Sequence, residues 1–128
     1  MGVFDALQVT FNIIDQSALE EVLPAAERAG MGVVAKRPIA NARLLPSDSP
    51  HCHGGPHWDP VRQLLIDEGA WDDPLECSLR FTLSHPVINS AIIGTTDVGH
   101  ARANARRAKA EPLSPQLLDA LHNLGLAD

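Results

Sequence analysis

The sequence predicts an α/β fold: three parallel strands with flanking helices, in a single domain over residues 1–128 with a long loop at about 39–59. Two observations carry this. Short apolar, β-branched runs at about 6–13, 31–35 and 87–93 alternate with stretches of helical periodicity. Turn and capping residues mark the passages between them, most clearly in the segment from Ser90 to Asn104. There an apolar run ends at Gly94, passes through Thr95 and Thr96, and opens a helix near Asp97. Strand, helix and strand at such spacing imply a parallel pair joined by a right-handed crossover.

In chain order, Ala6 to Ile13 reads as a mostly buried strand. Ser17 and Glu20 form a capping-box pattern, and Leu19, Val22, Leu23 and Ala26 recur on one helical face. Pro24 conflicts with a continuous helix, so the helix kinks there or begins again with Pro24 in its first turn. Gly30 supplies the stop, and Met31 to Ala35 is the second buried strand. Periodicity then vanishes through the loop, whose prolines, glycines and small polar residues suit a functional or mobile segment. Asp59-Pro60 opens a short helix to about Glu68, stopped by Gly69. Asp73-Pro74 starts another, with Leu75, Leu79 and Leu83 on one face and Pro86 ending it. Val87 to Ile93 holds the third strand, and a helix runs from about Val98 to Lys109. Ser114-Pro115 caps a final helix bearing Leu117, Leu118, Leu121 and Leu124, closed by Gly125.

Composition narrows the function. A net charge of −6 and the lack of any Lys/Arg run argue against a nucleic-acid surface; Arg102, Arg106, Arg107 and Lys109 are a local cluster on one helix. With no run of 18 apolar residues and no signal peptide opening the chain, a soluble cytoplasmic protein without a membrane partner is expected. Cys52 and Cys77 lack framework spacing and fit reduced thiols.

Chemistry concentrates at Gly94–Asp97. A strand, a tight turn and a helix N-terminus offer free backbone N–H groups and the positive end of a helix dipole to an anion. Thr95 and Thr96 add hydroxyls, and Arg102 and Asn104 return one to two turns later. A plain strand-to-helix junction, present several times in every α/β protein, is the bland alternative.

Taken in order, the segments Asp5–Pro24, Gly30–Asn41, Leu79–Pro86 and Ser90–Asn104 resemble the last three strand–helix units of the aldo/keto reductases, NADPH-dependent carbonyl reductases built on a (β/α)8 barrel. The resemblance spans nearly the whole chain and implies a partial TIM-type barrel, since a complete one needs about 250 residues. It implies that Gln8 meets the nicotinamide carboxamide and that Arg37, Ile39 and Asn41 cover the pyrophosphate. Gly94, Thr95, Thr96, His100 and Asn104 match the adenosine and 2′-phosphate end. Lys36 stands where many relatives stack an aromatic ring on the nicotinamide, and an ammonium offers no flat π-surface. Gly94 and His100 replace basic residues of some relatives, which weakens a preference for NADPH over NADH. The family's tyrosine acid and its aspartate, lysine and histidine partners belong to earlier strands, and the sequence contains no tyrosine. No catalytic residue is therefore assigned. NADP(H) is the implied cofactor, bound weakly or only with a complementing chain.

Three functional readings follow. The first is the cofactor-binding part of an aldo/keto reductase, inactive as a lone chain. The second is a non-enzymatic nucleotide-binding or assembly module derived from that fold. The third uses His51, Cys52, His53 and His57, whose imidazoles and thiol suit Zn2+ or Ni2+ but lack the spacing of a known finger. Three strands leave two open edges and a bare face, expected to expose Leu7, Val9, Val33, Val34, Ile92 and Ile93. The Leu117–Leu124 helix is the spare element that could cover it. Otherwise the chain pairs with itself or with a chain supplying the missing strands.

Overall fold

The computed structural model describes residues 3–42 and 58–124. In chain order these form β1 (Ala6–Thr10), a 3-10 turn (Ser17–Leu19), α1 (Val22–Arg28), β2 (Gly32–Lys36), a tight turn (Ala40–Ala42), α2 (Trp58–Asp67), α3 (Pro74–Leu83), β3 (Ser90–Ile92), α4 (Val98–Arg107) and α5 (Pro115–His122). The three strands make one parallel sheet in the order β1-β2-β3. Strand order equals chain order, as successive strand–helix units wound in one direction require.

The register divides the sheet into two unlike faces. Leu7 pairs with Val33, and Val9 with Ala35 and Ala91; this face turns to the helices, with Val33 and Ala35 fully buried. The opposite face carries Gln8, Val34 and Ser90 in one row and Thr10, Lys36 and Ile92 in the next. Gln8, Lys36, Ser90 and Ile92 are exposed there. Leu7, Val9 and Val33 thus belong to the covered face, and the bare one is mixed rather than apolar. β1 itself is not the mostly buried strand that its composition suggests. It ends at Thr10, and the buried residues are Phe11–Ile14 just beyond it, in a turn held by Asn12. The Asn12 side-chain oxygen accepts the backbone N–H groups of Ile14 and Asp15, each at 2.9 Å.

Local chemistry accounts for most boundaries. Asp73, Asp97 and Ser114 each cap the helix that follows, accepting a backbone N–H three residues on. Gly30 and Gly69 take positive φ where α1 and α2 end. Ser17 departs from its expected role: its hydroxyl donates to Asp15 at 2.7 Å, and a 3-10 turn precedes α1. Pro24 then falls in the first turn of α1, where a missing N–H is tolerated. β3 is short, but Asn89 extends its pairing: its side-chain oxygen accepts the Val33 N–H and its own N–H donates to the Val33 carbonyl.

The core lies between the covered sheet face and the helices, around Phe11, Ile13, Val61, Leu65, Phe81 and Leu121. α5 is part of it. Leu117 and Leu121 are buried, and the Gln16 amide donates to the carbonyls of Ile13 and Leu121 at 3.1 Å each. The helix is therefore unavailable to cover the bare face. The expected loop at 39–59 is shorter at both ends, since Ala40–Ala42 turn tightly and α2 starts at Trp58. The His51–His57 cluster and Gly125 lie outside the described residues.

Candidate functional site

In a parallel sheet all strands end on the same side, so the segments after β2 and β3 must meet. The segment after β2 is under backbone strain: Arg37, Ala40, Asn41 and Ala42 all have φ between 50° and 58°. Non-glycine residues in this region persist only where the surroundings hold them. Here α3 supplies the hold. The Ser78 hydroxyl donates to the Pro38 carbonyl at 2.7 Å, and the Thr82 hydroxyl lies within 3.4 Å of the carbonyls of Pro38 and Phe11. Ser78 and Thr82 are fully buried, so these bonds are shielded from water.

Beyond β3 the chain runs through Gly94, Thr95 and Thr96 into α4. The Thr95 hydroxyl accepts the Asp97 N–H at 3.2 Å, and Asp97 accepts the His100 N–H at 2.8 Å. A Cβ on Gly99 would lie 3.0 Å from the Asp97 carboxylate, so glycine leaves room for the cap. The His100 N–H, and then the nearby His100 ring, hold the Asp97 carboxyl below the usual carboxylate range.

Between these segments lies a cleft of about 780 Å3. It gathers Arg37, Ile39, Asn41, Gly94, Thr95, Thr96, His100 and Asn104, eight of the eleven residues singled out from sequence. Leu75, Ile92, Ile93 and Ala103 add apolar wall, while the hydroxyls, the Asn104 amide, the His100 imidazole and the Arg37 guanidinium supply polar rim. Such a surface suits a flat ring system bearing phosphates. Gln8 and Lys36 sit instead on the bare sheet face, and Arg102 is exposed outside the cleft. Helical geometry explains Arg102. Residues 100, 103, 104 and 107 share one face of α4, whereas residue 102 is rotated about 200° from 100. The same spacing identifies Arg107, which sequence reasoning placed only in a basic cluster. Its guanidinium donates to Asp73 at 2.8 Å and to the Asn104 side-chain oxygen Oδ1 at 3.0 Å, which fixes that amide with its NH2 group as the remaining donor.

Gly94 is less constrained than its turn position suggests. A Cβ there would meet nothing within 4 Å, and its φ is not positive. A smaller hollow of about 80 Å3 adjoins the cleft, lined by Thr10, Asn12, Asp15, Arg37 and Asn41 among others. Among the described residues no three His, Cys, Asp or Glu side chains gather to hold a metal, and no helix is long and apolar enough to cross a membrane.

Solved structures with this fold include aldo-keto reductases. The apo form of an aldo-keto reductase from Bacillus halodurans superposes with a TM-score of 0.75 at 24% identity, over 94% of this chain and 43% of that one. Its holo form gives 0.73 at 24%, over 93% and 42%. An aldo/keto reductase from Klebsiella pneumoniae, solved with NADP and acetate, gives 0.66 at 21%, over 94% and 39%. No protein-family model and no curated protein matches the sequence. The chain thus has the fold of part of an aldo-keto reductase barrel, consistent with its C-terminal portion, and spans about 43% of the length of the first of these structures.

Proposed function

We propose that the cleft between the segments after β2 and β3 is the adenosine–pyrophosphate half of a nicotinamide-dinucleotide site, in a protein of aldo/keto reductase type. The observation that carries this reading is the convergence of Arg37, Ile39 and Asn41 with Gly94–Thr96, His100 and Asn104 in one cleft at the strand ends. A solved structure of the same fold was obtained with NADP, which supports the choice of ligand. The residues present fit the group: hydroxyl, amide and cationic donors line one side and aliphatic side chains the other. Arg37 would face phosphate, Thr95, Thr96 and Asn104 would hydrogen-bond the adenosine end, and Ile39 and Ile93 would lie against the rings.

The bound dinucleotide supplies hydride to a carbonyl. This chain's residues bind and orient it; with no tyrosine in the sequence, proton donation falls to strands beyond this segment. Gln8 and Lys36 occupy the bare sheet face, where such strands would close over them. Those strands come from a complementing chain or from a longer form of this one, and a second copy pairing at the open edges is the alternative arrangement. Binding by the segment alone is weak and reduction is absent.

Fluorescence titration with NADPH tests the reading. Micromolar or weaker binding is expected, weakened about tenfold or more by Arg37→Ala with Asn104→Ala, each charge-assisted or polar contact contributing roughly 0.5–3 kcal/mol. Arg102→Ala should leave it unchanged. Equal affinity in all three proteins would remove the proposal.

A further inference from the structure

His85 follows the last turn of α3 and His122 closes α5, and their rings meet through nitrogen atoms. His85 Nδ1 lies 2.8 Å from the Phe81 carbonyl, and His85 Nε2 lies 2.9 Å from His122 Nε2. A carbonyl can only accept, so His85 carries its proton on Nδ1 and its Nε2 is a bare lone pair. His122 must therefore donate from Nε2. The contact has a definite proton capacity. One added proton can enter at His122 Nδ1 and leave the bond intact. A second must enter at His85 Nε2, which sets two N–H groups and two positive charges against each other at 2.9 Å.

The surroundings offer little relief. His85 is 8% exposed, and its ring stands edge-on to Phe11 at 4.8 Å and to Phe81 at 4.9 Å. Phe81 also contacts the His122 ring. Of the ionisable side chains, His122 on α5 is the one whose charge bears most on His85. Burial pushes the His85 pKa below the ordinary histidine range; the Phe81 carbonyl opposes this and the His122 charge adds to it. The unfolded chain therefore takes up this proton first. The stabilisation is complete above the unfolded pKa of about 6.5 and is lost as pH falls from there through the lower folded value.

We propose that His85 and His122 form an acid-opened latch, which docks the C-terminal turn of α5 onto α3 and releases it when the pair takes a second proton. The rest of α5 stays anchored by Leu117 and by the Gln16 bond to the Leu121 carbonyl. Acidification would thus free the helix end while the sheet and cleft persist.

The test follows imidazole 15N shifts and α5 amide exchange on the full chain between about pH 8 and pH 5. His85 should be the Nδ1–H tautomer at the upper pH. Protection factors at Asn123 and Leu124, whose amides donate to the Asp119 and Leu121 carbonyls, should fall about tenfold after correction for intrinsic exchange as His85 Nε2 protonates, while amides of β2 keep theirs. In His122→Gln, whose amide donates without titrating, the fall should be absent. Unchanged protection in the wild type, an equal fall in His122→Gln, or an Nε2–H tautomer of His85 at pH 8 would each overturn the latch. Should His122→Gln not fold, the wild-type coincidence of ring protonation and exchange decides alone.

Discussion

The Asp97 carboxylate accepts the backbone N–H of His100 at 2.8 Å, so the helix end that best attracts an anion already holds one. A phosphate bound in the cleft as proposed would share this end of α4 with a like charge, so the dipole would favour it and Asp97 oppose it. Asp97→Ser keeps a capping oxygen and removes the charge. Affinity for ADP at low salt should rise about two- to fivefold, an effect that fades within a Debye length as salt is added. Calorimetry at two salt concentrations measures this, and an unchanged affinity would place the phosphate away from α4. The depressed pKa gives the sign with pH: the cap's contribution is present above the unfolded carboxyl value and is lost as pH falls through the lower folded one.

Asp73 has two duties on two oxygens. Oδ1 caps α3 through the Glu76 N–H at 3.0 Å, and Oδ2 accepts from Arg107 at 2.8 Å, tying α3 to α4. Asp73→Ala should cost about 1–2 kcal/mol, from a lost cap of about 1 and a partly exposed ion pair of at most about 1. Asp73→Asn should keep the cap and lose mainly the pair. A double-mutant cycle with Arg107→Ala in urea should return a coupling of about 0.3–1 kcal/mol for the pair; zero coupling would show that the helices dock without it.

What could be read from sequence was local. The caps at Asp73, Asp97 and Ser114 and the stops at Gly30 and Gly69 depend on neighbours within four residues, and all stand in the structure. The strand faces were not legible. A continuous apolar run such as Ala6–Ile13 suits a strand covered on both sides, and nothing local says that Leu7 and Val9 meet helices while Gln8 does not. Contacts across long separations were equally hidden: Gln16 to Leu121, His85 to His122, and Ser78 to Pro38. Arg107 could have been found, because it repeats the helical spacing of His100 and Asn104; Arg102 fails that same spacing.

Cys77 on α3 is 4% exposed, and burial pushes its thiol up to about 11. The thiolate, not the thiol, reacts, so modification by a water-soluble disulfide reagent at about pH 8 should be limited by opening of the fold. The raised value also means that the stabilisation from a neutral Cys77 is complete below the unfolded pKa near 9.0 and is lost as pH rises through about 11. Rates should jump at least about a hundredfold in denaturant. A Cys52→Ser background isolates the signal, and equally fast labelling of the folded and denatured protein would contradict the burial.

The unlike faces of the sheet make the sharpest contrast in stability. Leu121 is fully buried in the core beneath the covered face, while Ile92 is 48% exposed on the bare one. Leu121→Ala removes methylene contacts and leaves a cavity, at a cost of about 2–5 kcal/mol. Ile92→Ala in the isolated chain should shift stability by no more than about 0.5 kcal/mol, as expected for a surface site. If strands from a second chain close over the bare face, Ile92 becomes interior and its truncation should weaken that association instead. Urea unfolding of both variants, with sedimentation of the Ile92→Ala protein at several concentrations, separates the cases. A large unfolding cost for Ile92→Ala in a monomer would mean that the face is already covered within this chain, and that the division of the sheet drawn from Gln8, Lys36 and Ile92 is wrong.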